Sequence, residues 1–82
     1  MDSVLTGHAR DALEKRQILA AWMDHALTHA EVTEADPVDP DLEHRPARIP
    51  EFGDRVLRVI IDSKRTPPLV VTVFCDRRRT IP

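Results

Sequence analysis

His8, Arg10 and Arg16 fall within nine residues of one another, and Asp76-Arg77-Arg78-Arg79 closes the most apolar part of the chain. Imidazole and guanidinium are the groups that metal-free cleavage of RNA calls for. A base takes the 2′-hydroxyl proton, an acid serves the leaving oxygen, and cations meet the charge that builds on phosphate. Arg58 and Thr72 lie in the two β-branched runs and add a further cation and a hydroxyl that can bond phosphate. The candidate catalytic set is therefore His8, Arg16, Arg58 and Thr72, with Arg10, Arg77, Arg78 and Arg79 as phosphate-gripping positions. A plainer reading of the same residues makes His8 a helix cap, Arg16 a cover for a sheet edge through its aliphatic stem, and the arginine run a solvated strand exit.

Other chemistries find less support. Gly7 and Gly53 are the only glycines, which excludes a glycine loop that cradles phosphate and a dinucleotide fingerprint. His25 and His29 have the four-residue spacing of a helical zinc pair, but no third ligand is specified, and a solvated pair is the expectation. Cys75 is alone, so it forms no intrachain disulfide and reads as a small hydrophobe at a strand end. Ser3 and Ser63 fall in an end and a turn. No metal and no cofactor is expected.

The elements that must position these groups fit one domain over residues 1–82, a length that builds about one helical layer on one sheet. Thr6 is a natural N-cap for a first helix over Gly7 to Arg16. Ile18, Leu19, Trp22, Met23, Ala26, Leu27 and Ala30 recur every three or four residues, marking the apolar stripe of a second helix from Leu19 to Ala30. A bend or short turn at Arg16-Gln17-Ile18 separates the two. The acidic, proline-containing stretch from residue 31 to 43 reads as a short edge strand, Glu31 to Glu34, and a polar loop. Pro46 and Pro50 bracket Ala47-Arg48-Ile49, leaving at best an interrupted edge strand. Gly53-Asp54 turns the chain into a hairpin of Arg55 to Asp62 and Leu69 to Cys75, the second strand starting after Pro67-Pro68. Alternation places Leu57, Val59, Ile61, Val71, Val73 and Cys75 toward the helices and leaves Arg58, Thr72 and Phe74 on a half-polar face. The expected fold is α+β, with two N-terminal helices on one face of a three- to four-stranded antiparallel sheet. Charge is split: residues 1–43 carry three basic and ten acidic side chains, net −7, and residues 44–82 carry nine and four, net +5. A cationic face backed by an acidic one results, and internal pairing of the two halves is the simpler alternative. With no long apolar run and no basic-apolar leader, no membrane is expected as a partner and the cytoplasm is the default location.

The order Leu5-Thr6-x-His8-Ala9-Arg10-x-x-Leu13-x-x-Arg16-x-Ile18, then a second helix, then Gly53-x-Arg55-Val56-Leu57-Arg58-Val59 and Val71-Thr72-Val73-Phe74-x-x-Arg77 resembles the domain-of-unknown-function family 4258, related to the BrnT and RelE-like toxin ribonucleases. The resemblance spans nearly the whole chain. It implies a toxin-like RNA-binding protein or metal-independent endoribonuclease, held by an antitoxin-like protein, with His8, Arg16, Arg58, Thr72 and Arg77 as functional positions. Gln17 stands where the family usually has Gly at the helix junction. Tyr is absent from the chain, and Phe74 follows the strand threonine, where it can stack on a base but cannot move a proton. The rival expectation is a non-enzymatic interaction module or homodimer, acting through a sheet edge and the basic C-terminal patch. RNA is the expected nucleic acid and DNA is not.

Overall fold

The computed structural model describes residues 4–29 and 32–78. Its elements in chain order are β1 (Val4–Leu5), α1 (Gly7–Lys15), α2 (Ala20–His29), β2 (Glu34–Ala35), β3 (Leu42–Ile49), a 3-10 turn (Pro50–Phe52), β4 (Arg55–Asp62) and β5 (Leu69–Asp76). The strands form one five-stranded sheet in the order β1-β5-β4-β3-β2. β1 runs parallel to β5 and the other pairings are antiparallel. The α+β class holds. The expected three- to four-stranded antiparallel sheet gains β1 as an added parallel edge strand, a two-residue piece too short for period-2 alternation to reveal.

Thr6 caps α1 as its type predicts, and it also joins the helix to the sheet. Its hydroxyl accepts from Ala9 N at 3.0 Å and donates to Val71 O at 2.9 Å, while its own N–H donates to Val70 O at 3.0 Å. The expected break between helices is a C-terminal cap built on Gln17, whose φ is +53°. Ile18 N donates to Leu13 O at 2.9 Å and Gln17 N to Glu14 O at 3.3 Å, the paired bonds of a Schellman cap, which normally carries glycine at the left-handed position. Ile18 and Leu13 both join the core, closing the hydrophobic contact that accompanies this cap.

α1 packs on β5 and α2 on β3 and β4, all on one face. Leu57, Val59 and Ile61 are fully buried there, with Ala9, Met23, Ala26 and Leu27 above them and Ala47 and Ile49 beside them. From α2's stripe, Leu19 lies ahead of the first helical turn and is 56% exposed, contrary to expectation. The second hairpin strand also departs from simple alternation. Ile60 faces Thr72 but Ile61 faces Val70, so Val71 is the extra residue of a β-bulge, and Val70 takes the buried place expected of Val71. A bulge resets strand parity without a marker in the sequence.

β3 is longer than its prolines suggest. Pro46 sits opposite Arg58 in mid-strand and is fully buried. β2 pairs only with Glu43 and His44, so the outer side of β3 at Pro46 faces no strand among the described residues, and the missing N–H disrupts no ladder there.

Candidate functional site

Cross-strand register fixes what stands on the face away from the helices. Arg58 lies between Pro46 on β3 and Phe74 on β5, with His44 beside Ile60 and Thr72 across from it, and Glu34 of β2 paired to His44. Arg58 is the hub of a polar network. Its Nε donates to Asp76 Oδ2 at 2.9 Å and Nη2 approaches the same oxygen at 2.8 Å. Nη1 reaches His44 Nδ1 at 2.9 Å and Glu34 Oε1 at 3.5 Å. A guanidinium only donates, so His44 Nδ1 accepts, and hydrogen-bond pairing assigns the ring proton to Nε2, which donates to Asp36 Oδ2 at 2.7 Å.

Asp36 is itself held by the acidic loop. Its Oδ1 accepts from Val38 N and Asp39 N, each at 2.9 Å, an Asx-turn geometry suited to Asp-Pro-Val-Asp. The Asp39 N–H, the His44 ring and the Val38 N–H together lower the Asp36 carboxyl to about 2 from its ordinary 3.8. The loop is thus more than a reservoir of negative charge, since it orients His44, which in turn orients Arg58.

Every nitrogen of the Arg58 guanidinium is engaged by the protein, through Glu34, His44 and Asp76 among the described residues. On the open face Arg58 thus links Glu34 of β2, His44 of β3 and Asp76 of β5. Thr72 stands on the same face, across from Ile60.

A second concavity has the opposite character. At the end of the sheet where β4 begins and β5 finishes, a cleft of about 410 Å³ is walled by Arg16, Arg55 and Arg77 with Phe52, Phe74 and Cys75. Among the described residues, no carboxylate lies within ion-pair distance of these three arginines. Arg16 is positioned by one bond from Nη1 to Val73 O at 3.2 Å, made across the outer edge of β5. Arg55 lies over the Phe52 ring at 4.9 Å from its centroid. His8 occupies a smaller hollow, of about 230 Å³, with Asp11, Ala12 and Lys15, and Arg16 is a wall of both.

The sequence-predicted positions divide accordingly. Arg16, Phe74 and Arg77 meet in the end cleft, and His8 adjoins them through Arg16. Arg58 and Thr72 are on the helix-free face, and the hollow that His8 lines does not include Arg58. Arg10 and Arg78 are exposed, Arg78 N donating to Asp76 Oδ1 at 3.1 Å. Arg79 lies outside the described residues. His25 and His29 stack at 4.9 Å between centroids on an exposed helix face, and no group of three metal-ligating side chains occurs among the described residues. Sequence reasoning passed over His44, Asp36, Arg55 and Phe52. For His44 a signal existed: once β3 is extended through Pro46, residues 44, 46 and 48 share one face by parity alone.

Fold and site together define a small α+β domain: two helices on one face of a five-stranded mixed sheet, a half-buried polar network on the other face, and an arginine-phenylalanine cleft at one end. Residues 5–75 match the family Domain of unknown function (DUF4258), and the chain belongs to it. No curated protein and no solved structure matches the chain. No helix among the described residues is long and apolar enough to cross a membrane.

Proposed function

We propose that this protein binds single-stranded RNA in the end cleft and cleaves it without a metal ion, as a toxin-like endoribonuclease of the BrnT and RelE type. The observation that carries the reading is the cleft itself: three arginines with no carboxylate partner among the described residues, interleaved with two phenylalanines. Arginine suits phosphate by charge and by its fork of donors, and aromatic faces accept any base of a splayed strand. In this reading Arg16, Arg55 and Arg77 hold the backbone, Phe74 meets a base, and His8, next to Arg16, moves the proton. Arg58 braces the open face rather than holding phosphate, and Thr72 stands on that face one row away. An antitoxin-like protein with an acidic segment is the partner that would cover such a cleft.

The test is binding of a labelled single-stranded RNA by fluorescence anisotropy together with cleavage on a gel. Wild type is expected to bind and cleave, Arg16→Ala and Arg77→Ala to lose binding, and His8→Ala to bind without cutting. RNA that stays intact under every condition, ribosome-bound or free, sinks the nuclease assignment. Growth arrest on induced expression, relieved by a neighbouring gene, supports the toxin role.

A second reading, the interaction module or homodimer, is favoured by one observation. Among the described residues no strand pairs with β5 beyond Val70 on its outer side or with β3 beyond His44, and unpaired edges recruit strands. Light scattering across a concentration series separates a monomer from an edge-paired dimer.

A further inference from the structure

The exposed side of α2 carries a pair of rings that neither the core nor the end cleft uses. Met23, Ala26 and Leu27 are buried, whereas His25 and His29, four residues and so one helical turn apart, are exposed. Their imidazoles lie 4.9 Å apart between centroids, with planes inclined by 15°. A metal ion held at a Zn–N distance of ~2.0–2.1 Å sits roughly 3.2 Å from each ring centre, so two imidazoles sharing one ion at a near-tetrahedral angle have centres about 5 Å apart. The two rings already have that spacing. Turning the exposed His25 side chain about its own bonds aims its nitrogen at an ion held by His29, with the backbone left in place.

Thr28 sets which nitrogen of His29 is offered. Its hydroxyl donates to Asp24 O at 2.9 Å, the bond to the preceding turn that threonine makes within helices, and a hydroxyl has a single proton to give. Toward His29 Nδ1, at 2.6 Å, the oxygen therefore accepts. Hydrogen-bond pairing thus assigns the ring proton to Nδ1 and leaves the lone pair on Nε2. An imidazole whose other N–H is bonded to an oxygen is the arrangement of metal ligands, where the oxygen orients the ring and raises its basicity. We propose that His25 and His29 form a two-histidine chelate for a divalent transition metal, with Thr28 as the outer partner of His29. Imidazole suits copper and zinc, and the general order of affinities holds Cu²⁺ more tightly than Zn²⁺. Water completes the coordination. Neither histidine lines the end cleft or the hollow of His8, so the chelate stands apart from the proposed RNA cleavage.

Isothermal titration calorimetry of the intact chain with CuCl₂ and with ZnCl₂, at neutral pH in a non-coordinating buffer, tests the site. Wild type is expected to bind Cu²⁺ and, more weakly, Zn²⁺. Thr28→Val should weaken Cu²⁺ by about tenfold, the low end of what an outer partner contributes, and His25→Gln and His29→Gln should each weaken it more. His8→Gln should leave it unchanged. Trp22, the only tryptophan in the chain, lies one turn before His25 on α2, and Cu²⁺ should quench its emission in wild type but not in the variant carrying both His25→Gln and His29→Gln. Wild type that takes up neither metal, or a double variant that binds and quenches like wild type, overturns the chelate. Wild-type affinity in Thr28→Val overturns the part given to Thr28.

Discussion

Arg58 offers the sharpest test of how the open face works, because two roles predict opposite phenotypes. Replacing it with Met keeps the aliphatic stem between Pro46 and Phe74 but removes the donors to Asp76, His44 and Glu34. The side chains of Arg58 and Asp76 are 14% and 18% exposed. Breaking a buried ion pair costs about 3–5 kcal/mol, because the remaining charge stays behind without its partner. Residual exposure places this pair at the low end of that range, about 3 kcal/mol. For a chain of this length that lowers Tm by about 12–24 °C. Thermal melts by circular dichroism at neutral pH measure it directly, and RNA anisotropy at a temperature where the variant is still folded should give wild-type affinity. Arg16→Met should behave the other way, since it loses one bond, to Val73 O, from an exposed side chain: Tm within a few degrees and RNA binding abolished. An Arg58→Met protein that melts like wild type yet no longer binds RNA would refute the brace and return Arg58 to the ligand site.

Three further expectations concern other parts of the chain. Gln17→Gly relieves a left-handed backbone that costs a non-glycine residue about 1–2 kcal/mol, against about 0.4–1 kcal/mol of added unfolded-state freedom. A net gain of about 0.5–1 kcal/mol raises Tm by about 2–8 °C, and an unchanged or lower Tm contradicts the cap geometry. Asp36, held at about 2 against an ordinary 3.8, contributes stability that is complete above about pH 4 and is lost as pH falls from about 4 to about 2. Chemical melts of Asp36→Asn should therefore show a shallower loss across that window than wild type, and parallel curves would discount the carboxylate. RNA affinity should fall with salt at a log-log slope of about −2, from about 0.7 per neutralised phosphate for a single strand and three arginines, and a slope near zero would mean that the arginines neutralise no phosphate.

Much of the fold is legible from residue type because the physics there is local. Thr6 caps, the stripe through Met23, Ala26 and Leu27 buries, and Leu57, Val59 and Ile61 face the helices for reasons that three or four neighbouring residues supply. The misses are long-range. Val71 becomes a bulge only in its pairing with β4, and Pro46 is tolerated in β3 only because β2 stops at His44's partner. Gln17 had no glycine to announce its left-handed turn. The candidate site follows the same division: Arg16, Phe74 and Arg77 are recognisable as chemistry in the sequence. Their company with Arg55 and Phe52 depends on where a 3-10 turn after β3 delivers the chain.

The opposite charges of the two halves turn out to be sorted by location. On the open face the acidic half reaches the basic one through Glu34 and Asp36, which approach the Arg58–His44 pair, with Asp76 added from β5. Glu43 engages Arg45, which also donates to Leu27 O in the last turn of α2, a place where a cation is favoured by the helix dipole. The carboxylates thus engage arginines that hold elements together, and among the described residues the end cleft is left with Arg16, Arg55 and Arg77 unneutralised. A modest overall charge of −2 is therefore compatible with a strongly cationic local field, since exposed charges beyond ~8–10 Å are largely screened at physiological salt. Introducing a carboxylate into that cleft, as in Cys75→Asp, should abolish RNA binding, whereas adding one on the acidic loop, as in Val38→Asp at a side chain that is 90% exposed, should leave it unchanged. Equal losses from the two substitutions would mean that net charge, rather than the cleft, governs association.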